Sequence, residues 1–142
     1  MRQARIEVSG NRPVGYYHCV SRVIQWQLPF GDFERERFLE ILREYEEFCG
    51  VHVLTYCVMS NHFHVRVEVP KRPDVLPGAD QMLKRPRKRS CTQFLGAFEQ
   101  SIATFRSLKD TAGERQFLES YYRRMWDVSW FIRLVKQRFS SW

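Results

Sequence analysis

The chain has 142 residues, of which 44% are apolar and 15% aromatic, and its formal net charge is +7 at pH 7. This length and apolar content favour one folded domain over residues 1–142 and exclude an intrinsically disordered chain. No apolar run of about 18 residues occurs and the first residues lack the apolar core of a secretory signal, so the sequence predicts no membrane span and a cytoplasmic location. The surplus of positive charge fits a polyanionic partner.

The first predicted elements are a strand and a helix. Residues 16–23 are rich in aromatic and β-branched side chains, which is typical of a strand. Asp32 predicts a helix N-cap, and Glu34 and Glu36 in the first turn complement the helix dipole. Apolar residues at near-helical spacing follow, and Gly50 predicts the end of this helix.

A hairpin is predicted next. Residues 51–58 form a short β-branched strand, residues 59–61 (MSN) a turn, and residues 62–69 a second strand that Pro70 should end. Because side chains alternate along a strand, this second strand has an apolar and a polar face. The apolar face carries Phe63, Val65, Val67 and Val69, and the polar face carries His62, His64, Arg66 and Glu68.

The second half of the chain is predicted to be mainly helical. Residues 71–90 contain prolines and a basic run, which indicates a loop with one short helix, and residues 91–110 indicate a longer helix. The stretch DTAG at residues 110–113 indicates a break, and two helical pieces should follow from Glu114, the second capped by Asp127. The sequence therefore predicts an α+β fold in which helices pack on a small antiparallel sheet.

Two histidines, His62 and His64, lie on the polar face of the predicted strand. Residues i and i+2 of a strand point the same way with Cα atoms about 6.5 Å apart, so two neutral imidazoles there can converge on one cation. Such a pair is half a metal site and leaves positions for water or substrate oxygens, as a catalytic site requires. Two other interpretations stay open: a solvent-exposed face without a ligand, and a structural zinc site completed by Cys57 or His18. Arg66 shares this face and could either hold a phosphate or repel a metal.

An ordered set of sequence blocks carries a family resemblance. The blocks are residues 17–22 (YHCVSR), 30–38 (FGDFERERF), 53–70 (VLTYCVMSNHFHVRVEVP), 124–131 (RMWDVSWF) and 136–140 (KQRFS). With the His-Phe-His segment at its centre, this set resembles the single-tyrosine HUH transposases of the insertion-sequence-200 type, and most closely the REP-associated tyrosine transposases of bacteria.

The resemblance implies a fold and an activity. The fold would be that of HUH endonucleases, which is ferredoxin-like or RRM-like. His62 and His64 would hold a divalent ion, Mg²⁺ or Mn²⁺, that polarises the scissile phosphate of single-stranded or hairpin DNA. A tyrosine on a late helix would attack, leaving a 5′-phosphotyrosine and a free 3′-OH.

The tyrosine is the point at which the sequence departs from the family. Relatives continue after the KQRFS-like helix with a strand and a helix that carries the nucleophile in a Tyr-Ile-x-x-Asn-Pro context, and this context does not occur here. We therefore expect a C-terminally truncated domain. Tyr121 and Tyr122 are the substitute candidates for the nucleophile, although they precede that helix. We expect no phosphotyrosine adduct from this chain alone, and a sheet edge left unpaired would favour a homodimer.

Basic residues supply the candidate contacts to DNA phosphates. They lie in the loop at Lys84, Arg85, Arg87, Lys88 and Arg89, and on the last predicted helix at Arg133, Lys136 and Arg138. The leading interpretation is a transposase domain. The alternative is a non-catalytic nucleic-acid-binding domain that uses the basic surface and retains its histidines without using them.

Overall fold

The computed structural model describes residues 13–22, 31–84 and 92–141. In this part of the chain, three strands come early and most helices late. In chain order the elements are β1 (Val14–Arg22), α1 (Asp32–Cys49), β2 (His52–Val58), β3 (His62–Pro70), α2 (Ala79–Leu83), α3 (Thr92–Ser107), α4 (Thr111–Tyr122) and α5 (Val128–Ser140). The predicted α+β fold, an antiparallel sheet with helices packed on it, is confirmed.

β3 is the central strand of the sheet, which has the order β1-β3-β2. Both neighbours run antiparallel to it, and His18 lies opposite Arg66 on the β1 side. The predicted hairpin between β2 and β3 is confirmed, and the backbone N–H of Met59 closes its turn by donating to the carbonyl of His62 at 2.8 Å. The register of β2 shifts between Val53 and Thr55, which is a β-bulge at Leu54.

The hydrophobic core lies between one face of this sheet and the helices. Phe63, Val65 and Val67 are fully buried on β3, and Phe38 of α1 packs on Phe63 with ring centroids 4.7 Å apart. Phe131 of α5 is fully buried in the same cluster. The apolar alternation of β3 thus attaches the sheet to the helical layer and fixes which face of the sheet the helices cover.

The ends of α1 agree only in part with the sequence-based prediction. Gly50 ends the helix as predicted, with a positive φ of 67° that favours glycine, and a Cβ there would lie 2.7 Å from Nε1 of Trp126. The predicted cap at Asp32 is wrong, because Asp32 is the first helical residue and Gly31 occupies the cap position without a side-chain hydrogen bond. Asp32 instead contributes its charge to the first turn.

Asp110 and Asp127 cap the last two helices. Asp127 caps α5 as predicted, since its Oδ1 accepts from the backbone N–H of Ser129 at 2.7 Å and of Trp130 at 3.1 Å. The break predicted at residues 110–113 is misplaced. Asp110 accepts from the N–H of Gly113 at 2.8 Å, so α4 already begins at Thr111.

The remaining boundaries differ by small amounts. β1 begins at Val14, two residues before the predicted start, and Pro70 is the last residue of β3 instead of the first after it. The short helix expected between residues 71 and 90 is α2. In the described ranges, no helix combines the length and hydropathy that crossing a bilayer requires.

Candidate functional site

The polar face of the sheet, called the open face below, points away from the helical core. On β3 it carries His62, His64, Arg66 and Glu68, all of which retain some exposure while the alternating residues are buried. The predicted placement of both histidines on one side of the second hairpin strand is therefore confirmed. Neither ring is buried among apolar side chains, as an ion-binding role requires.

The strand register adds residues from the two neighbouring strands to this face. Directly opposed residues of antiparallel strands project to the same side. From β1, the open face receives Tyr16, His18, Val20 and Arg22, which pair with Glu68, Arg66, His64 and His62 respectively. From β2 it receives Thr55, opposite Arg66, and Cys57, opposite His64. Arg22 and Arg66 bring two cations to the histidine pair.

His62 is oriented by the last residue of the turn. Its Nδ1 lies 2.7 Å from Oδ1 of Asn61. With this amide oxygen as the acceptor, Nδ1 of the ring is the donor, and a neutral ring then keeps its lone pair on Nε2. Nε2 is thus the ring nitrogen through which His62 can bind a cation.

His64 lies between His62 and a third imidazole. The ring centroids of His62 and His64 are 5.1 Å apart, and those of His18 and His64 are 5.3 Å apart. Nδ1 of His64 is 3.1 Å from Nε2 of His18, which is a hydrogen bond between two imidazoles. Three histidines from two strands therefore form one row across the open face.

The donor set of the open face fits an open metal site. The rings of His62 and His64 are close enough to approach one ion, and the remaining positions would be available to oxygens of water or DNA. Nowhere in the described ranges do three or more His, Cys, Asp or Glu side chains converge with metal-binding geometry. The structural zinc interpretation, with Cys57 or His18 as added ligands, needs a closed set of four donors and finds none there.

Tyr121, the first nucleophile candidate, lies in the helical layer behind the sheet. Its ring packs edge-on against Phe48 of α1 at 5.5 Å and Phe98 of α3 at 4.9 Å between centroids. Burial raises the pKa of its phenol, which disfavours the phenolate that a nucleophile needs. The structure does not bring Tyr121 to the histidines.

Tyr122, the second candidate, is also part of the core. It is only 7% exposed, and its hydroxyl donates to the backbone carbonyl of Pro77. Burial, followed by the charge of Glu119, raises the pKa of this phenol. Both late tyrosines therefore lie on the covered side of the sheet, whereas His62 and His64 face the opposite side.

The basic candidates lie on α5 and within residues 84–89, most of which are outside the described residues. Lys84 is exposed at the end of α2, while Arg85, Arg87, Lys88 and Arg89 lie outside the described residues. On α5, Arg133 is exposed, and Lys136 and Arg138 are partly exposed. The guanidinium carbons of Arg133 and Arg124 each lie 5.1 Å from the ring of Trp130. Both guanidinium groups therefore lie against the same indole ring.

The sequence-based prediction missed three residues near the histidines, namely Tyr16 and Arg22 on the open face and Asn61 in the turn. Tyr16 is 65% exposed, and the structure has all the other tyrosines of the chain on the covered side or at the edge of β2. The signal was present in the alternation of β1, whose residues 16, 18, 20 and 22 share one face. The sequence did not reveal the register of β1 against β3, which places these residues beside the histidines.

A comparison with known protein families gives one result. A family model described as "Transposase IS200 like" matches residues 13–141, which include every strand and helix of the described residues. No curated protein and no solved structure gives a significant match to the chain.

Proposed function

The chain belongs to the IS200-like transposase family, and from this premise we propose that its open face binds single-stranded DNA together with a divalent ion. The observation that carries the proposal is the pair His62 and His64, which share one exposed face of the central strand with ring centroids 5.1 Å apart. The supporting observation is the presence of two arginines on the same face.

His62 and His64 would hold the ion, Mg²⁺ or Mn²⁺, through their Nε2 atoms. When bound there, the ion would withdraw charge from a backbone phosphate of the DNA. Asn61 fixes the ring of His62 for this task through the hydrogen bond at 2.7 Å.

Arg22 and Arg66 would position the DNA backbone at the histidines. Each lies opposite a histidine across β1 and β3, Arg22 opposite His62 and Arg66 opposite His18. Guanidinium groups match phosphate oxygens in geometry and charge. Tyr16, further along the same face, offers an exposed ring on which a base can stack. Arg66 therefore serves to hold phosphate in this proposal.

Two further basic surfaces would contact DNA away from the histidines. The first comprises Arg133 with Arg124 on Trp130, and includes Lys136 and Arg138 of the same helix. The second is the basic run of the sequence that begins at Lys84 and contains Arg85, Arg87, Lys88 and Arg89. We assign these surfaces to a DNA hairpin next to the single strand, in keeping with the resemblance of the sequence blocks to the REP-associated subtype.

A second candidate function is a domain that binds DNA without cleaving it, and the positions of Tyr121 and Tyr122 favour this function. A nucleophile must approach the phosphate to about 3–3.5 Å, and the sheet separates Tyr121 and Tyr122 from the histidines. Tyr16 does share the open face, but it pairs four residues along β3 from His64, which is about 13 Å along the strand. We propose that neither Tyr121 nor Tyr122 cleaves DNA.

The salt dependence of single-stranded DNA binding tests the proposed surface. Fluorescence anisotropy with a labelled oligonucleotide should give an affinity that falls as salt rises. Replacing Arg22 and Arg66 by alanine should reduce the slope of log affinity against log salt by about 1.4, because each phosphate contact contributes about 0.7. The control Arg35→Ala/Arg115→Ala removes the same charge from the helices and should leave the slope unchanged. An unchanged slope for Arg22→Ala/Arg66→Ala would refute DNA binding at the open face.

A covalent-adduct assay separates the two candidate functions. Labelled DNA with a hairpin is incubated with the protein and Mn²⁺ and run on a denaturing gel. We expect no adduct that depends on Tyr121 or Tyr122. A band lost in Tyr121→Phe or Tyr122→Phe would show that our placement of these residues outside the chemistry is wrong. A band lost in Tyr16→Phe would instead place the nucleophile on the open face and reject the non-catalytic function.

We also propose a homodimer, and the contacts at the β2 edge of the sheet disfavour strand pairing there as its interface. At β2, the backbone N–H of Val53 donates to Oε1 of Glu46 at 2.5 Å, and its carbonyl accepts from Arg43 at 3.5 Å. These side chains occupy groups that a second strand would need. Sedimentation equilibrium tests for the dimer, and Arg43→Ala/Glu46→Ala should raise self-association if the pair protects this edge.

A further inference from the structure

In the hydrogen bond between His18 and His64 either ring can be the donor, whereas the contact between His62 and Asn61 has only one possible donor. His62 contacts the amide oxygen of Asn61, which is an acceptor, so a neutral His62 bonded in this way carries its hydrogen on Nδ1. Between His18 and His64, by contrast, either ring could donate across the 3.1 Å that separate Nε2 and Nδ1. Which ring donates decides whether His64 presents a lone pair or a hydrogen at its Nε2.

We infer that His18 is a positioning residue, which accepts the Nδ1 hydrogen of His64 and thereby fixes His64 in the tautomer whose Nε2 can bind a cation. This inference rests on the proposed ion site. If His64 accepted at Nδ1 instead, its Nε2 would carry the hydrogen and could not act as a ligand. Donation to His18 gives His64 the tautomer that Asn61 imposes on His62, so both Nε2 atoms are available together.

The strand register explains why a histidine at position 18 reaches this atom. His18 lies opposite Arg66 on β1, and His64 precedes Arg66 by two residues, so the two histidines are diagonal neighbours on one face. Diagonal neighbours are within reach of long or aromatic side chains. Histidines that bind metals usually donate their second N–H to a carboxylate, a carbonyl or water, and here a neighbouring imidazole would accept it.

The inference predicts a spectroscopic property of the metal-free protein. The chain has four histidines, so long-range ¹H–¹⁵N correlation spectra can be assigned with single substitutions. At about pH 8.5, where ordinary imidazoles are neutral, His64 should carry its hydrogen on Nδ1. His18→Leu, which removes the acceptor, should shift His64 away from that tautomer. His18→Gln, whose amide oxygen can take the place of Nε2, should restore it.

Metal affinity provides the second measurement. His18→Leu should weaken Mn²⁺ binding about tenfold, the lower end of what loss of such a partner costs, and His18→Gln should recover most of it. The matched control is His52→Leu, since His52 is exposed at the far end of β2 opposite Glu68. His18 is itself exposed, so these variants should fold, and near-ultraviolet circular dichroism checks this.

The two proposals fail in different ways. If His64 carries its hydrogen on Nε2 in the native chain, or if His18→Leu changes neither its tautomer nor the Mn²⁺ affinity, His18 is not a positioning residue, whatever the ion site does. If His62→Ala/His64→Ala binds Mn²⁺ as tightly as the native chain, the ion site itself is absent from this face. The tautomer spectra need no metal, so they test His18 in either case.

Discussion

The two faces of β3 differ although they belong to the same nine residues. On the covered face, Phe63, Val65 and Val67 are fully buried against the helices. On the open face, His62 and His64 are partly exposed and bond to polar neighbours. Because alternate residues of a strand face opposite sides, one segment can fix the fold with half of its side chains and present chemistry with the other half. Substitutions on the two faces should therefore have different consequences.

The largest expected effect is on the covered face. Phe63→Ala removes a fully buried ring that packs on Phe38, and it should lower the free energy of unfolding by about 3–5 kcal/mol. His64→Ala, one residue along but on the open face, should change it by about 0.5 kcal/mol or less. Urea denaturation of both variants makes the comparison. Similar losses from the two substitutions would contradict the division of β3 into a structural and a functional face.

The adjacent tyrosines of β1 give a second test of the same division. Tyr16 is 65% exposed on the open face, whereas Tyr17 packs on the core. Tyr16→Leu should weaken single-stranded DNA binding about tenfold, which corresponds to the loss of one stacked base, and leave stability unchanged. Tyr17→Leu should lower the free energy of unfolding by about 1 kcal/mol and leave DNA affinity unchanged. The reverse pattern, measured by anisotropy and urea denaturation, would show that β1 presents the other face.

A smaller effect is expected from Tyr122 of the helical layer. Tyr122→Phe keeps the buried ring but removes the hydrogen bond to the Pro77 carbonyl. The loss of this bond should cost about 1 kcal/mol of unfolding free energy. DNA affinity should not change, since the residue lies behind the sheet. A large loss of DNA binding without loss of stability would mean that this hydroxyl reaches the nucleic acid.

The smallest effect concerns an exposed ion pair that joins the helices. Arg106 of α3 pairs with Asp80 of α2 at 2.9 Å and lowers the pKa of that carboxyl, chiefly through the hydrogen bond. A lowered folded-state pKa means that the pair stabilises the fold above the ordinary value of 3.8 and that this contribution is lost as the pH falls through the folded-state pKa. Asp80→Asn should therefore lower the urea midpoint slightly at pH 7. The difference from the native chain should disappear once the pH has fallen below the folded-state pKa of Asp80, and a difference that grows with acid would refute the assignment.

The covered face could be predicted from the sequence better than the open face. The alternation of residues 62–69 identified the hairpin, the buried set and the exposed histidines, because period 2 is a local property of a strand. The contact between His18 and His64 spans 46 positions and depends on the register of β1 against β3, which no local pattern specifies. The position of Tyr121 and Tyr122 behind the sheet also followed only from the packing of α4.

Helix ends show the same limit on a smaller scale. Asp32, Asp110 and Asp127 all stand near a helix start, and the sequence alone did not separate a cap from a first-turn residue. Asp110 and Asp127 accept backbone N–H groups, whereas no such bond caps α1. A cap and a first-turn residue differ by one position in the sequence, and helix propensity alone does not locate a helix end to one residue.

The central claim is that His62 and His64 make the open face an ion site, and a calorimetric Mn²⁺ titration tests it most directly. The native chain should bind one ion, His52→Ala should bind it with the same affinity, and His62→Ala/His64→Ala should lose the binding while keeping the native urea midpoint. Equal binding by the native chain and the double variant, whether weak or tight, would contradict the claim.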